Sequence, residues 1–343
     1  MSVDRYRVEH TTRYVYAAQV SQSWQLARLT PRELPWQWVR DASLLIDPPA
    51  DERHEVQDSF GNLVTHFGLH AAHRVLRVRM QCSVDVGDRP PPVSGSPMDW
   101  ETLRDGLRMS PPRDDLLPSR MSEPTRLVPL SERARQYAVA ALRPGRHWLE
   151  AMLDLMERIH NDFEFDPDAT TVSTSVDEVL THRRGVCQDF AHLMLACLRG
   201  HGLPARYVSG YLLTDPPEGQ ARLMGVDASH AWVAAWSPSG EWVEFDPTNN
   251  QLADRRYITL AWGADFADVV PLRGVILGSG SQSMAVSVSV IPQEPLVSQL
   301  ERQVPVQAPA QAQGQSQTQA QGQSQSQQTQ IPLQPPMPGE DLR

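Results

Sequence analysis

The sequence contains no lysine: all 31 of its basic residues are arginine, so the only primary amine it offers is the α-amino group. Cysteine is nearly as scarce. The complement of 3, Cys82, Cys187 and Cys197, is too small for a disulfide framework. No apolar run reaches the roughly 18 residues that a membrane-spanning helix requires, and the opening Met-Ser-Val-Asp-Arg-Tyr-Arg lacks the apolar segment of a signal peptide. A reducing cytoplasm is the location expected from these absences. Basic blocks are missing too, and a net charge of −10 without one argues against nucleic acid or an anionic membrane as the main partner. What is present, 343 residues with 40% hydrophobic and 21% charged, supports a buried core and two domains, or one large domain with extensions.

Residues 1–88 read as β-rich. Arg5 to His10 and Thr12 to Tyr16 alternate polar with apolar or aromatic residues, as does His73 to Val86, where Leu76, Val78 and Met80 oppose Val75, Arg77 and Arg79. An antiparallel β-sandwich is the simplest sum of these strands. Residues 89–130 are rich in proline and read as an irregular connector with a short helix near Trp100 to Leu107. Helical periodicity follows at Ser131 to Leu142 and His147 to His160, then at a strongly apolar helix opened by Cys187 and stopped by Gly200 and Gly202. Strands are expected at Ala205 to Leu213, His230 to Trp236 and Glu241 to Asp246, giving an α+β core over 131–292. Residues 303–330 hold 13 glutamines and neither a charge nor an aromatic, so 293–343 are expected to form a disordered tail.

Cys187 is the sharpest chemical signal. A thiol in the first turn of a helix meets unpaired N–H groups and partial positive charge, which favour the thiolate. Cys197, mid-helix among apolar residues, and Cys82, inside a strand, read as buried core thiols. A thiolate nucleophile requires an imidazole to handle protons and a third group to orient the ring. His230 begins one strand and Asp246 ends the next. If Trp236 pairs near Glu241 or Trp242 across the intervening Ser-Pro-Ser-Gly loop, His230 falls opposite Pro247 or Thr248. Asp246 then lies within one or two positions, able to accept from the imidazole Nδ1–H.

Four blocks in order, Gly185-Val186-Cys187-Gln188-Asp189-Phe190-Ala191-His192, Leu203 to Tyr211, Ser229-His230-Ala231-Trp232-Val233 and Asp246-Pro247-Thr248-Asn249, resemble the bacterial transglutaminase-like superfamily. The run Gly263 to Gly274 is similar to the end of its core, and the N-terminal part resembles the β domain that precedes that core. The resemblance implies a papain-like fold with Cys187 as nucleophile, His230 as general base and acid, and Asp246 as orienting carboxylate. It implies acyl transfer through a thioester on a protein or peptide substrate, without a cofactor. The alternative is a non-catalytic peptide-binding module.

The Cys187 backbone N–H is the first candidate oxyanion donor; Trp148, Asn161 and Gln188 are all candidates for the second. The tryptophans at 232, 236 and 242 read chiefly as core, with Trp232 also a candidate wall of the substrate groove. Tyr211 and Arg206 are further candidates for lining it. Asp189 in the first helical turn reads as a partner of the helix dipole. His182 and His192 make no zinc spacing, and Asp246 to Asp254 lacks the pattern of an EF-hand loop, so no metal site is assigned.

Overall fold

In β1 (Val3–Val20) Tyr6, Val8, His10 and Thr12 are buried while the residues between them are not, the two-residue period of a strand with one face on a core. The computed structural model describes residues 2–92, 98–110, 117–171, 174–214 and 229–293. After β1 come β2 (Gln22–Ala27), β3 (Gln37–Val39), β4 (Ser43–Asp47), β5 (Glu52–Gln57), β6 (Leu63–Leu69) and β7 (His73–Gly87). Helices α1 (Trp100–Met109), α2 (Leu117–Arg120), α3 (Glu132–Ala138) and α4 (Trp148–Asp162) follow. The short β8 (Glu164–Phe165) and β9 (Arg184–Gly185) flank α5 (Val176–His182) and lead into α6 (Cys187–Gly200). The chain continues through β10 (Ala205–Leu212), β11 (Ser229–Trp236), β12 (Trp242–Asp246), β13 (Gln251–Leu252) and β14 (Tyr257–Gly263). It returns by α7 (Phe266–Val269), β15 (Leu272–Leu277) and β16 (Gln282–Gln293).

The architecture is α+β with antiparallel sheets. One N-terminal sheet runs β16-β1-β7-β3, with β4 also on β7, and the other runs β15-β2-β6-β5. The core sheet runs β13-β12-β11-β10-β14. Against it packs α6, buried from Asp189 through Arg199, with each large apolar side chain contributing about 1.5–3 kcal/mol on burial. No helix among the described residues is long and apolar enough to cross a membrane.

The way the chain returns differs from the expected division. β16 pairs with β1 from Arg5↔Gln293 to Tyr16↔Gln282, and β15 pairs with β2 from Ala27↔Leu272 to Gln22↔Leu277. Residues 272–293 thus complete the N-terminal sheets and are not part of the core expected over 131–292. Without β16, β1 would be a long open edge. Gln293, expected in the tail, closes this strand, and 294–343 lie outside the described residues. The connector expected over 89–130 carries α1 and α2, and its first residue, Arg89, turns inward against the core sheet, donating to Glu244.

Candidate active site

The start of α6 is set by three residues of one motif. Asp189, at the third helical position, accepts from the Val186 N–H at 2.8 Å and from the Thr170 hydroxyl at 2.6 Å. Its carboxylate fills the space beside Gly185, where an added Cβ would lie 2.8 Å from Asp189 Oδ2. Burial raises the Asp189 pKa, against the pull of these hydrogen bonds. The expected dipole role is therefore joined by a mechanical one, fixing the turn that presents Cys187. The preceding α5 is closed at its own start by a capping box between Ser175 and Glu178. It ends on Arg183 in the left-handed region, φ 55°.

On the core sheet, Trp236 pairs with Trp242 and Val233 with Phe245. Continuing that register places His230 opposite Thr248. The His230 Nε2–H donates to Asp246 Oδ2 at 2.7 Å. The expected use of Nδ1 is thus corrected: the ring is turned so that Nε2 faces the carboxylate. Cys187 lies near enough to the same imidazole to help raise its pKa. Cys187 itself is half-buried, unlike the buried Cys82 and Cys197.

Asp246 is fully buried and surrounded by donors. Its Oδ1 accepts from the backbone N–H groups of Thr248 at 2.9 Å and Asn249 at 3.3 Å. Its Oδ2 accepts from His230, from the Tyr257 hydroxyl at 2.6 Å and from the Asn249 side-chain amide at 2.7 Å. Burial works to raise this carboxylate's pKa, yet the bonds and charge of His230, with those of Tyr257 and Asn249, hold it below the usual range. The imidazole shows the same contest with the opposite sign. Burial lowers its pKa, but the bonds to Asp246 and Cys187 prevail and push it up to about 10. The ring beside the Asp246 carboxylate therefore holds its proton more tightly than a free imidazole does.

Residues 6–85 match the family model of the bacterial transglutaminase-like N-terminal region, and residues 135–247 match that of the transglutaminase-like superfamily. An uncharacterized protein of Mycobacterium tuberculosis is 42% identical over 299 residues, covering 84% of this chain and 93% of the relative. The chain belongs to the transglutaminase-like superfamily. The crystal structure of a candidate cysteine protease from Cytophaga hutchinsonii has the same fold, with TM-score 0.65 over 86% of this chain and 92% of that one at 19% identity. A protein-glutamine gamma-glutamyltransferase of Pseudomonas aeruginosa is 32% identical over 105 residues, 29% of this chain and 16% of that protein.

Within this transglutaminase-like site the other expected residues take different places. Tyr211 does not line a cleft: it is fully buried, with its hydroxyl 2.9 Å from His10 Nδ1 of β1. β10 is covered on both faces, so its side chains alternate between two interiors. Trp232 is also fully buried and walls no open groove. Its indole stacks on His230 with centroids 6.1 Å apart and donates to Glu244 at 3.0 Å. Gly210, opposite His230 on β10, makes room for it: a Cβ there would lie 2.5 Å from the Trp232 ring. Arg206 is sandwiched between Trp242 and Trp262, 4.4 and 3.6 Å from their ring centroids.

Of the candidate oxyanion donors, Trp148 is buried in the core edge-on to Phe245. Asn161 is exposed in the last turn of α4, and Gln188 is half-buried beside Cys187. Sequence reasoning missed Tyr257 and Asn249 as partners of Asp246, and Gln251, whose amide donates to the Tyr257 hydroxyl. It also missed His160, which donates to the Thr248 carbonyl at 2.9 Å and ties the end of α4 to the turn after Asp246. A polar side chain every few residues from 246 to 257 was the available signal.

Proposed function

We propose that this protein is a cysteine-dependent acyltransferase acting on peptide or glutamine amides through a thioester on Cys187. The observation that carries the reading is the single imidazole of His230, bonded to a buried carboxylate and raised in pKa by that carboxylate and by the thiol at the start of α6. Cys187 Sγ attacks the amide carbonyl carbon while the N–H groups at the head of α6, that of Cys187 first, receive the oxyanion. The C–N bond breaks and the imidazolium gives its proton to the departing ammonia or amine. Water or a primary amine then attacks the thioester carbonyl and passes a proton to His230 as Sγ leaves. Hydrolysis and amine transfer share the first half-reaction. The Pseudomonas aeruginosa relative named for γ-glutamyl transfer supports glutamine amides as acyl donors. Free thiols at Cys82, Cys187 and Cys197 suit a reducing compartment such as the cytoplasm.

The test is a screen of amide and peptide substrates for ammonia or amine release, with and without added primary amines, on the protein and on Cys187→Ala. Release that depends on Cys187 is the expected result. Release undiminished in Cys187→Ala overturns the thioester.

A further inference from the structure

We propose that Arg89 is a positioning residue for the His230 imidazole, acting through Glu244 and Trp232. The inference rests on the thioester reading and adds to it a control point on the far side of the indole, brought by a residue that precedes every helix of the core.

Arg89 lies two residues past the end of β7 and its side chain is 9% exposed. The guanidinium makes three bonds: Nε donates to Glu244 Oε2 at 3.1 Å, Nη2 to the Tyr257 carbonyl at 3.0 Å and Nη1 to the Asp254 carbonyl. Glu244 lies on β12 and Tyr257 on β14, which are separated in the sheet by β11 and β10. One side chain therefore ties together two strands that do not pair. Each of those strands supports the imidazole. Glu244 Oε2 accepts from the Trp232 indole N–H, and that indole stacks on His230 at an interplanar angle of 26°. Tyr257 packs against both rings, with centroids 5.2 Å from Trp232 and 6.1 Å from His230, and donates its hydroxyl to Asp246.

The orientation of the ring decides whether Nε2 meets Asp246 and how the ring faces Cys187, so fixing Trp232 and Tyr257 fixes both. Glu244 is buried, with its side chain 3% exposed, and Arg89 pairs with it. Removing Arg89 takes an ion-pair partner from that buried carboxylate and frees it to pull away from the indole. Among the described residues, the titratable groups facing His230 come from three elements: Cys187 of α6, Asp246 of β12 and Tyr257 of β14. A change at residue 89 leaves the side chains of all three in place and removes only the guanidinium's bond to the Tyr257 carbonyl.

The experiment follows alkylation of Cys187 by iodoacetamide from pH 5 to pH 10, resolved by site, in the full chain and in Arg89→Gln, Arg89→Lys and Trp232→Phe. The downfield proton resonance of the His230–Asp246 bond and the thermal melting point are recorded alongside. Arg89→Gln is expected to react at least about tenfold more slowly than the parent at pH 6 and to converge with it near pH 9.5, as ordinary thiol ionisation takes over. Its downfield resonance broadens or disappears. Arg89→Lys, a cation without the fork, recovers part of the difference, and Trp232→Phe, which lacks the indole N–H, shifts the same way as Arg89→Gln. If Arg89→Gln does not fold, Trp232→Phe carries the test. A lower melting point with an unmoved pH profile and resonance would make Arg89 a mere staple and overturn the inference. A parent protein whose Cys187 reacts at pH 6 no faster than a free thiol overturns the thioester reading itself.

Discussion

Two cysteines sit on the same helix, ten residues apart, in opposite circumstances. Cys197 is fully buried, its thiol donates to the Ala134 carbonyl at 3.3 Å, and burial pushes its pKa far up. Cys187 stands in the first turn, half-buried, near the His230 imidazole whose pKa it helps to raise. Residue type is the same, and the helix, buried from Asp189 through Arg199, is the same. What differs is the end of the helix each occupies and what the neighbouring sheet brings to that end. The lesson is that α6 acts as a rigid post: Cys197 helps anchor it, and the anchoring lets Asp189 and Gly185 present Cys187 in one place.

The sharpest way to break this comparison is to exchange the roles. Cys187→Ala is expected to lower turnover at least about 10⁴-fold, whereas Cys197→Ala keeps full turnover and loses about 1–2 kcal/mol of stability. Equal losses of activity in steady-state assays would show that the two thiols are not functionally distinct. Next in size, Asp246→Asn keeps the shape but gives up the charge that holds His230 protonated. A loss of about 10²–10⁴ in kcat is expected, with KM little changed.

The pH dependence sharpens the same contrast. His230 is raised to about 10 in the folded protein, against about 6.5 unfolded. Its contribution to stability is therefore complete below about pH 6.5 and is lost as pH rises through about 10. The Asp246 carboxylate is lowered, so its contribution is present above the ordinary carboxylate range, near pH 4, and fails only in stronger acid. Urea titrations across pH 6–10.5 should show the parent losing more stability at the alkaline end than His230→Gln; parallel curves would contradict the assigned imidazolium. The smallest effect is expected from Gly185→Ala, which pushes a methyl group into Asp189. We expect a stability loss of about 1–3 kcal/mol and slower Cys187 alkylation, read by denaturant titration and mass spectrometry. No change in either would mean that Asp189 yields without moving the helix start.

What was legible in the sequence was local. The start of α6 was written in Gly185, Cys187 and Asp189, and the β11–β12 register followed from one short loop between two tryptophans. The alternation of Leu76, Val78 and Met80 named a buried face correctly, since one side of β7 faces the core. Other features depended on tertiary structure. The turn of the His230 ring that offers Nε2 to Asp246 is set by Trp232 and Tyr257, which adjacency along the chain does not reveal. Tyr211 misled because β10 is buried on both faces, where alternation ceases to tell a cleft from a core. The pairing of Arg5 with Gln293 has no local signature in either segment, being decided by an open edge on β1 that something had to cover.

That last pairing bears on how the protein comes into being. The first strand leaves the ribosome long before its partner at residues 282–293 exists, so during synthesis β1 waits with one row of backbone groups unpaired. The N-terminal sheets are the last part of the described structure that can be finished, although they are the first to be made. A nascent chain halted near residue 270 would hold every strand of the core sheet and still expose a sticky edge along β1. A ribosome-tethered folding assay would accordingly find protease protection of residues 3–20 only after β16 has emerged.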